Sequence, residues 1–217
     1  ARATCHDGKC ERVTLSMTPC YVDKLDAVVE VEGLGRITVD IAFGGIFYAL
    51  VDPTQFDLAI SPKNARKLVD IGSRIQRAVN QQLDIRHPAL PGLEGISYTM
   101  FTGFDDDGAM KGATILPPGR IDRSPCGTGN SARAAVMTAR GQVTIGETKI
   151  ARSIIDSEFQ VQVEAQKEIN GQLCVLPIIS GRGWIHGIHQ IGVDPSDPYQ
   201  QGYKVSDCWG DAFDLLN

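Results

Sequence analysis

The sequence predicts an α+β fold in which a curled β-sheet wraps a buried helix. Three observations carry this reading. Short alternating or apolar runs recur along most of the chain, separated by turn signals. Only two segments have the length and periodicity of helices, and they do not alternate with the strands, which argues against a doubly wound parallel sheet. The second helix has a small, apolar interior (Ala132, Ala134, Ala135, Val136, Met137 and Ala139), so it belongs in a core.

Taken in order, residues 12–17, 27–31, 36–41 and 46–51 read as strands. Gly33-Leu34-Gly35 and Gly44-Gly45 supply turns between them. A first helix is expected over residues 61–82, with Ser61 as N-cap and Pro62 at the first helical position. Ala65, Leu68, Val69, Ile71, Ile75, Ala78 and Val79 share one face of it. Strands are expected again at 95–101 and 112–116, around the turn Asp105-Asp106-Asp107-Gly108. The second helix should begin near Gly129 and stop at Gly141, a residue suited to the left-handed position past a helix end. Phe159, Val161 and Val163 alternate with Gln160, Gln162 and Glu164, as in a half-exposed strand. Residues 173–178 and 183–191 are further strand candidates. The tail from Ser196 to Asn217 reads as a connector or a segment that docks elsewhere.

The 217 residues fit one large domain or two small ones, and a hydrophobic fraction of 42% is enough for a core. A net charge of −5 gives no nucleic-acid footprint. No apolar run approaches the ~18 residues of a membrane span. Cys5, Cys10, Cys20, Cys126, Cys174 and Cys208 are widely spread in a chain too long to need disulfide staples. They read as reduced thiols of a cytoplasmic protein.

Chemistry concentrates in Asp122-Arg123-Ser124-Pro125-Cys126-Gly127-Thr128-Gly129-Asn130-Ser131-Ala132-Arg133. A cysteine stands at the mouth of a buried helix, behind a proline and ahead of Gly-x-Gly. The helix N-terminus aims a partial positive charge at the sulfur, and such settings favour thiolates. The N–H groups of Gly127 and Thr128 could hold a carboxylate. Asp122, four residues before Cys126, could accept from a substrate ammonium or iminium group, or could simply brace a local turn. Cys126 could itself be a buried hydrophobe, although Pro125 and Gly127 build a special turn around it.

Other readings are weaker. Gly127-x-Gly129-x-x-Ala132 matches a dinucleotide fingerprint in form, but the stretch before it is polar and broken by proline. Cys5, His6 and Cys10 with His186 and His189 could be written as a zinc set, with poor spacing for it. Asp105–Asp107 lacks the spacing of a calcium loop. A hydrolase nucleophile at Cys126 would need a base such as His186 or His189 brought to it by folding.

Residues 122–132 closely resemble the second-cysteine signature of the proline racemase family, which includes 4-hydroxyproline 2-epimerases and 3-hydroxyproline dehydratases. The resemblance continues in residues 39–52 (Val-Asp-Ile-Ala-Phe-Gly-Gly-Ile-Phe-Tyr-Ala-Leu-Val-Asp), in 181–187 (Gly-Arg-Gly-Trp-Ile-His-Gly) and in 194–198 (Asp-Pro-Ser-Asp-Pro). It implies two related domains like those of diaminopimelate epimerase, each a curled sheet around a central helix. It implies proton transfer between two thiols on opposite faces of a substrate α-carbon, with neither pyridoxal phosphate nor metal. By motif match, Cys126 is one acid/base residue, Gly127 and Thr128 bind the carboxylate, and Asp122 binds the ring nitrogen. Thr in place of Cys126 would mark a dehydratase, so a racemase or epimerase of proline or 4-hydroxyproline is expected.

One departure stands out. The family's first signature, Met-Cys-Gly-His, is absent. The resemblance then implies that residues 1–190 form the second domain. Residues 191–217 would dock on a missing N-terminal domain, roughly the first third of the family length, that supplies the second thiol. The chain alone is expected to be inactive, or a remnant that only binds. The expected partners are the small-molecule substrate, that domain and a possible homodimer mate, with neither nucleic acid nor membrane.

Overall fold

The computed structural model describes residues 1–203. By contacts the chain divides into two units, Ala1–Arg182 and Gly183–Asn217. Cys208 lies outside the described residues.

The first unit is one eleven-stranded mixed sheet and two helices. In chain order these are β1 (Arg2–His6), β2 (Lys9–Ser16), β3 (Tyr21–Val31), β4 (Gly35–Phe43), β5 (Phe47–Val51), α1 (Ala65–Gln82), β6 (Tyr98–Phe104), β7 (Met110–Leu116), β8 (Arg120–Ile121), α2 (Gly127–Ala139), β9 (Thr148–Arg152), β10 (Glu158–Ile169) and β11 (Gln172–Gly181). The strand path runs β1-β2-β11-β10-β9-β7-β6-β5-β4-β3, with β8 paired to β7. The β5–β6 and β7–β9 pairs are parallel and the others antiparallel. The ladder is not closed. One bridge spans the gap: Cys20 and Val175 exchange N–H···O bonds of 2.9 and 2.7 Å, so the start of β3 returns to β11.

Side-chain alternation along β5 shows how the curl sorts its residues. Phe47, Ala49 and Val51 project to one face and pack in the cluster that holds Leu68, Ile75 and Val79 of α1. Tyr48 and Leu50 project to the other and pack with Cys126, Ala132 and Val136. Thus α1 covers the outside of the sheet and α2 fills its inside. Burying Leu68, Ile75 or Val79 removes each from water for about 1.5–3 kcal/mol. Helix α2 can occupy the interior because most of its residues are small. Gly141 (φ 68°) ends it in the expected manner, with Gly141 N–H bonding Thr138 O (3.0 Å) and Gln142 N–H bonding Met137 O (2.8 Å), a Schellman arrangement.

Several expectations shift. Pro62–Asn64 is a 3₁₀ turn ahead of α1, and Ser61 makes no side-chain cap bond. Helix α2 starts at Gly127 rather than Gly129. Strands β1 and β9 escaped the sequence reading: β1 is exposed throughout, β9 is mostly half-buried, and neither has a clean alternation. Asp105–Gly108 is a hairpin turn, as expected, with Gly108 N–H bonding Asp105 O at 2.9 Å. Its carboxylates Asp105 and Asp107 pair with Arg152.

In the second unit, residues 183–191 form no strand, which corrects the sequence reading. Glycines at 183 and 187 interrupt the run. Asp194 and Asp197 brace local turns by accepting from Ser196 N–H and Tyr199 N–H. No helix among the described residues is long and apolar enough to cross a membrane.

Candidate active site

Helix α2 sits against the sheet where bulk is excluded. A Cβ on Gly44 would overlap the Thr128 carbonyl and come within 2.6 Å of Ala132 N. Gly129 similarly makes room. A Cβ there would lie 2.9 Å from Met100 Sδ and 3.0 Å from Cys126 Sγ.

Cys126 is the N-cap residue of α2, at φ 69° and ψ 104°. Few residues other than glycine tolerate positive φ, and the strain costs about 1–3 kcal/mol. A local clamp holds it. Ser124 Oγ accepts from Cys126 N–H (3.1 Å), and Asn130 Nδ2 donates to the carbonyls of Pro125 (2.5 Å) and Cys126 (3.1 Å). Asn130 N–H also donates to Cys126 O at 3.0 Å, the first intrahelical bond. The N–H groups of Gly127, Thr128 and Gly129 precede that bond and have no intrahelical acceptor. An added Cβ at Gly127 would meet nothing within 4 Å, so this end of the helix is open.

Cys126 is buried, with 7% of the residue exposed. Its Sγ lies 3.4 Å from Tyr48 Oη and 3.9 Å from Thr128 Oγ1, and those two oxygens are 2.7 Å apart. Burial, and then the negative charge of a Cys126 thiolate, holds the Tyr48 phenol well above its ordinary value. Tyr48 therefore stays a hydrogen-bond donor, to the sulfur or to Thr128. Both sulfur partners within this unit are hydroxyls, not imidazoles.

Asp122 Oδ1 accepts from Ser124 N–H at 2.8 Å, so this carboxylate does brace the turn. The path Asp122–Ser124–Cys126 ties all four expected residues into one local structure. Tyr48, Ser124 and Asn130 were missed by the sequence reading. Alternation in residues 46–51 offers a signal for Tyr48, since it shares the inner face with Leu50. Asn130 stands one helical turn after Cys126.

Competing chemistries find less support. The segment before α2 contains only the two-residue β8, not the buried strand a dinucleotide site requires. Among the described residues no group of three or more His, Cys, Asp or Glu side chains could hold a metal ion. A 520 Å³ cavity at the C-terminal end of α2, lined in part by Asp26, Asp40, Arg133 and Arg140, includes none of Asp122, Cys126, Gly127 and Thr128.

Residues 1–204 match the family model described as proline racemase. The chain is 48% identical over 210 residues to a 4-hydroxyproline 2-epimerase of Agrobacterium fabrum, covering 97% of this chain and 61% of that protein. It is 45% identical over 216 residues to one of Allorhizobium ampelinum, covering 100% and 62%. Among solved structures it is similar to a hydroxyproline epimerase from Agrobacterium vitis with bound trans-4-OH-L-proline. That similarity has a TM-score of 0.86 and 46% identity, over 98% of this chain and 61% of that one. A probable proline racemase from Agrobacterium radiobacter K84, with bound carbonate, gives 0.84 and 45%, over 96% and 61%. The chain thus spans 61–62% of the length of these curated relatives.

Proposed function

Because the chain belongs to the proline racemase family, we propose that it carries one half of a cofactor-independent amino-acid epimerase site, moving a proton at Cα of 4-hydroxyproline or proline. Cys126 acts on one face of the α-carbon. Its thiolate removes the α-proton, or its thiol returns one. The open N–H groups of Gly127 and Thr128 bind the substrate carboxylate and stabilise the charge that builds on it as the proton leaves. Asp122 accepts from the ring nitrogen through the carboxylate edge that the turn leaves unused. A second thiol for the opposite face comes from polypeptide outside this chain. Residues 1–190 act as the domain that carries Cys126, and 191–217 dock on the domain that supplies the partner. A reducing, cytoplasmic setting suits thiol chemistry.

The observation that supports this reading best is Cys126 at the first turn of a buried helix, beside free N–H groups and the Tyr48 donor. The names of the relatives favour 4-hydroxyproline over proline. Cysteine rather than threonine at 126 favours epimerisation over dehydration of 3-hydroxyproline.

Deuterium incorporation from solvent at Cα of trans-4-hydroxy-L-proline and L-proline tests it. The complete two-domain protein should exchange the hydroxyproline α-proton, and Cys126→Ser should abolish exchange. Full exchange by Cys126→Ser would defeat the thiol role, and epimerisation by the 217-residue chain alone would defeat the need for a second domain.

A further inference from the structure

Strands β1 and β2 are joined by the two-residue turn Asp7-Gly8, both at positive φ (48° and 73°), as a type I′ hairpin turn demands. The turn fixes the register: His6 faces Lys9, and Cys5 faces Cys10. Residues directly opposite on an antiparallel pair project to the same side, with Cβ atoms about 4.5–5.5 Å apart and closest at non-hydrogen-bonded pairs. A disulfide needs Cα atoms about 4.4–6.8 Å and Cβ atoms about 3.5–4.5 Å apart, so a small closing movement suffices. The register shifts between Thr4 and Cys5, which ends the regular ladder beside the pair and loosens it for such a movement.

Exposure separates this pair from the other described cysteines. Cys5 and Cys10 are exposed, whereas Cys20, Cys126 and Cys174 are buried. After desolvation, the hydrogen bond and charge of Cys10 raise the Cys5 thiol above its ordinary value.

We propose that Cys5 and Cys10 are a redox site that closes the hairpin as a reversible disulfide, and that this pair, not Cys126, is oxidised first. The co-reactant is a low-molecular-weight disulfide such as oxidised glutathione. The Cys10 thiolate attacks one glutathione sulfur. The glutathione S–S bond breaks, and one glutathione leaves as thiolate and takes up a proton. Cys5 acts second. It releases the proton and attacks the Cys10 sulfur, and the mixed disulfide breaks to expel the second glutathione. Two cysteines lose two electrons in all, and one oxidised glutathione becomes two reduced molecules. The hairpin lies apart from the elements that carry Cys126, so its chemistry can be read without any epimerase assay.

The test treats the native chain with oxidised glutathione and follows intact mass and a tryptic map. Cleavage after Arg2, Lys9 and Arg12 separates the two cysteines, so a disulfide appears as peptides 3–9 and 10–12 linked together. The expected product has lost two hydrogens, carries no glutathione, shows that linked pair, and returns to starting mass with dithiothreitol. Cys5→Ser should stall with one glutathione retained on Cys10. Stable glutathione on both cysteines of the unsubstituted chain, or modification of Cys126 while Cys5 and Cys10 remain thiols, would overturn the proposal.

Discussion

Replacing Gly44 by alanine places a methyl group where two backbones meet. The new Cβ would overlap the Thr128 carbonyl and lie 2.6 Å from Ala132 N and 3.1 Å from Ala132 Cβ. None of these atoms can swing aside as the end of a flexible side chain would, because Thr128 and Ala132 belong to the first turns of α2. Overpacking a core costs about 1–3 kcal/mol, and a backbone obstacle puts Gly44→Ala at or beyond the upper end. For a chain of this size each kcal/mol moves the melting temperature by about 2–4 °C. A fall of about 6–12 °C is therefore expected. Gly127→Ala is the matched control. No atom lies within 4 Å of its Cβ position and its φ is ordinary, so the melting temperature should hold or rise slightly, since alanine suits a helix better than glycine. Far-UV circular dichroism melts, checked by urea midpoints, read both. A Gly44→Ala melt within about 2 °C of the parent would refute the backbone contact, and an equal fall for Gly127→Ala would refute the open helix end. In the complete enzyme Gly127→Ala should weaken substrate binding while stability holds, since its methyl enters the space proposed for the carboxylate.

Tyr48→Phe removes the one fully buried donor beside the sulfur. A hydrogen bond to a charged group is worth about 1.5–3 kcal/mol, so alkylation of Cys126 by iodoacetamide should slow about tenfold or more, and an unchanged rate would rule out donation to sulfur. At position 126, glycine should be milder than alanine, because only glycine adopts φ 69° without strain. Chemical denaturation of Cys126→Gly and Cys126→Ala compares them, and equal midpoints would contradict the strained turn. Alkali should destabilise the fold through Cys20 and Tyr21, which burial pushes up to about 12 from ordinary values of 9.0 and 10.0. The folded state keeps these protons after the unfolded chain has lost them. Stability is thus complete below pH 9 and falls between pH 9 and about 12, by at most about 1.4 kcal/mol per pH unit for each group. Urea midpoints across that window measure the slope, and Cys20→Ala should flatten it.

The fold was legible where burial imposes a period. Residues 46–51 face a helix on each side of the sheet, so the run is apolar throughout and bounded by glycine and proline, and β5 followed directly. Helix α1 is amphipathic because one side packs on the sheet and the other meets water. By contrast β1 and β2 extend past the body of the sheet with every residue but Val13 to Ser16 off β11, and nearly all of them exposed. No core selects the pattern of β1, which the sequence reading missed, whereas the strand read at 12–17 is the half of β2 that meets β11. The run at 183–191 shows the opposite error. Ile185, Ile188 and Ile191 look like strand residues, yet they are 88–94% exposed in the described structure. Hydrophobicity alone does not supply the ladder partner that makes a strand.

The signature around Cys126 was legible for a different reason. Its residues are contiguous, and a turn that presents a side chain at a helix mouth is written in local chemistry: Pro125 fixes the approach, Gly127 and Gly129 clear the space, and small residues let α2 enter the sheet. What the sequence reading missed is how that turn is held. Cys126 pays for its position with a strained φ, and the compensation comes from three further side chains. Asn130 reaches back to two carbonyls, Ser124 caps the cysteine N–H, and Tyr48 arrives from β5, 78 residues away, to meet the sulfur. An alanine at 126 would keep the strain and lose the thiol, and a glycine would lose both. Cysteine at positive φ is stable here only because the clamp is complete, so the same contacts that hold the strained turn also aim the sulfur. Stability and thiol placement at this site are therefore one design, and substitutions in the clamp should change both together.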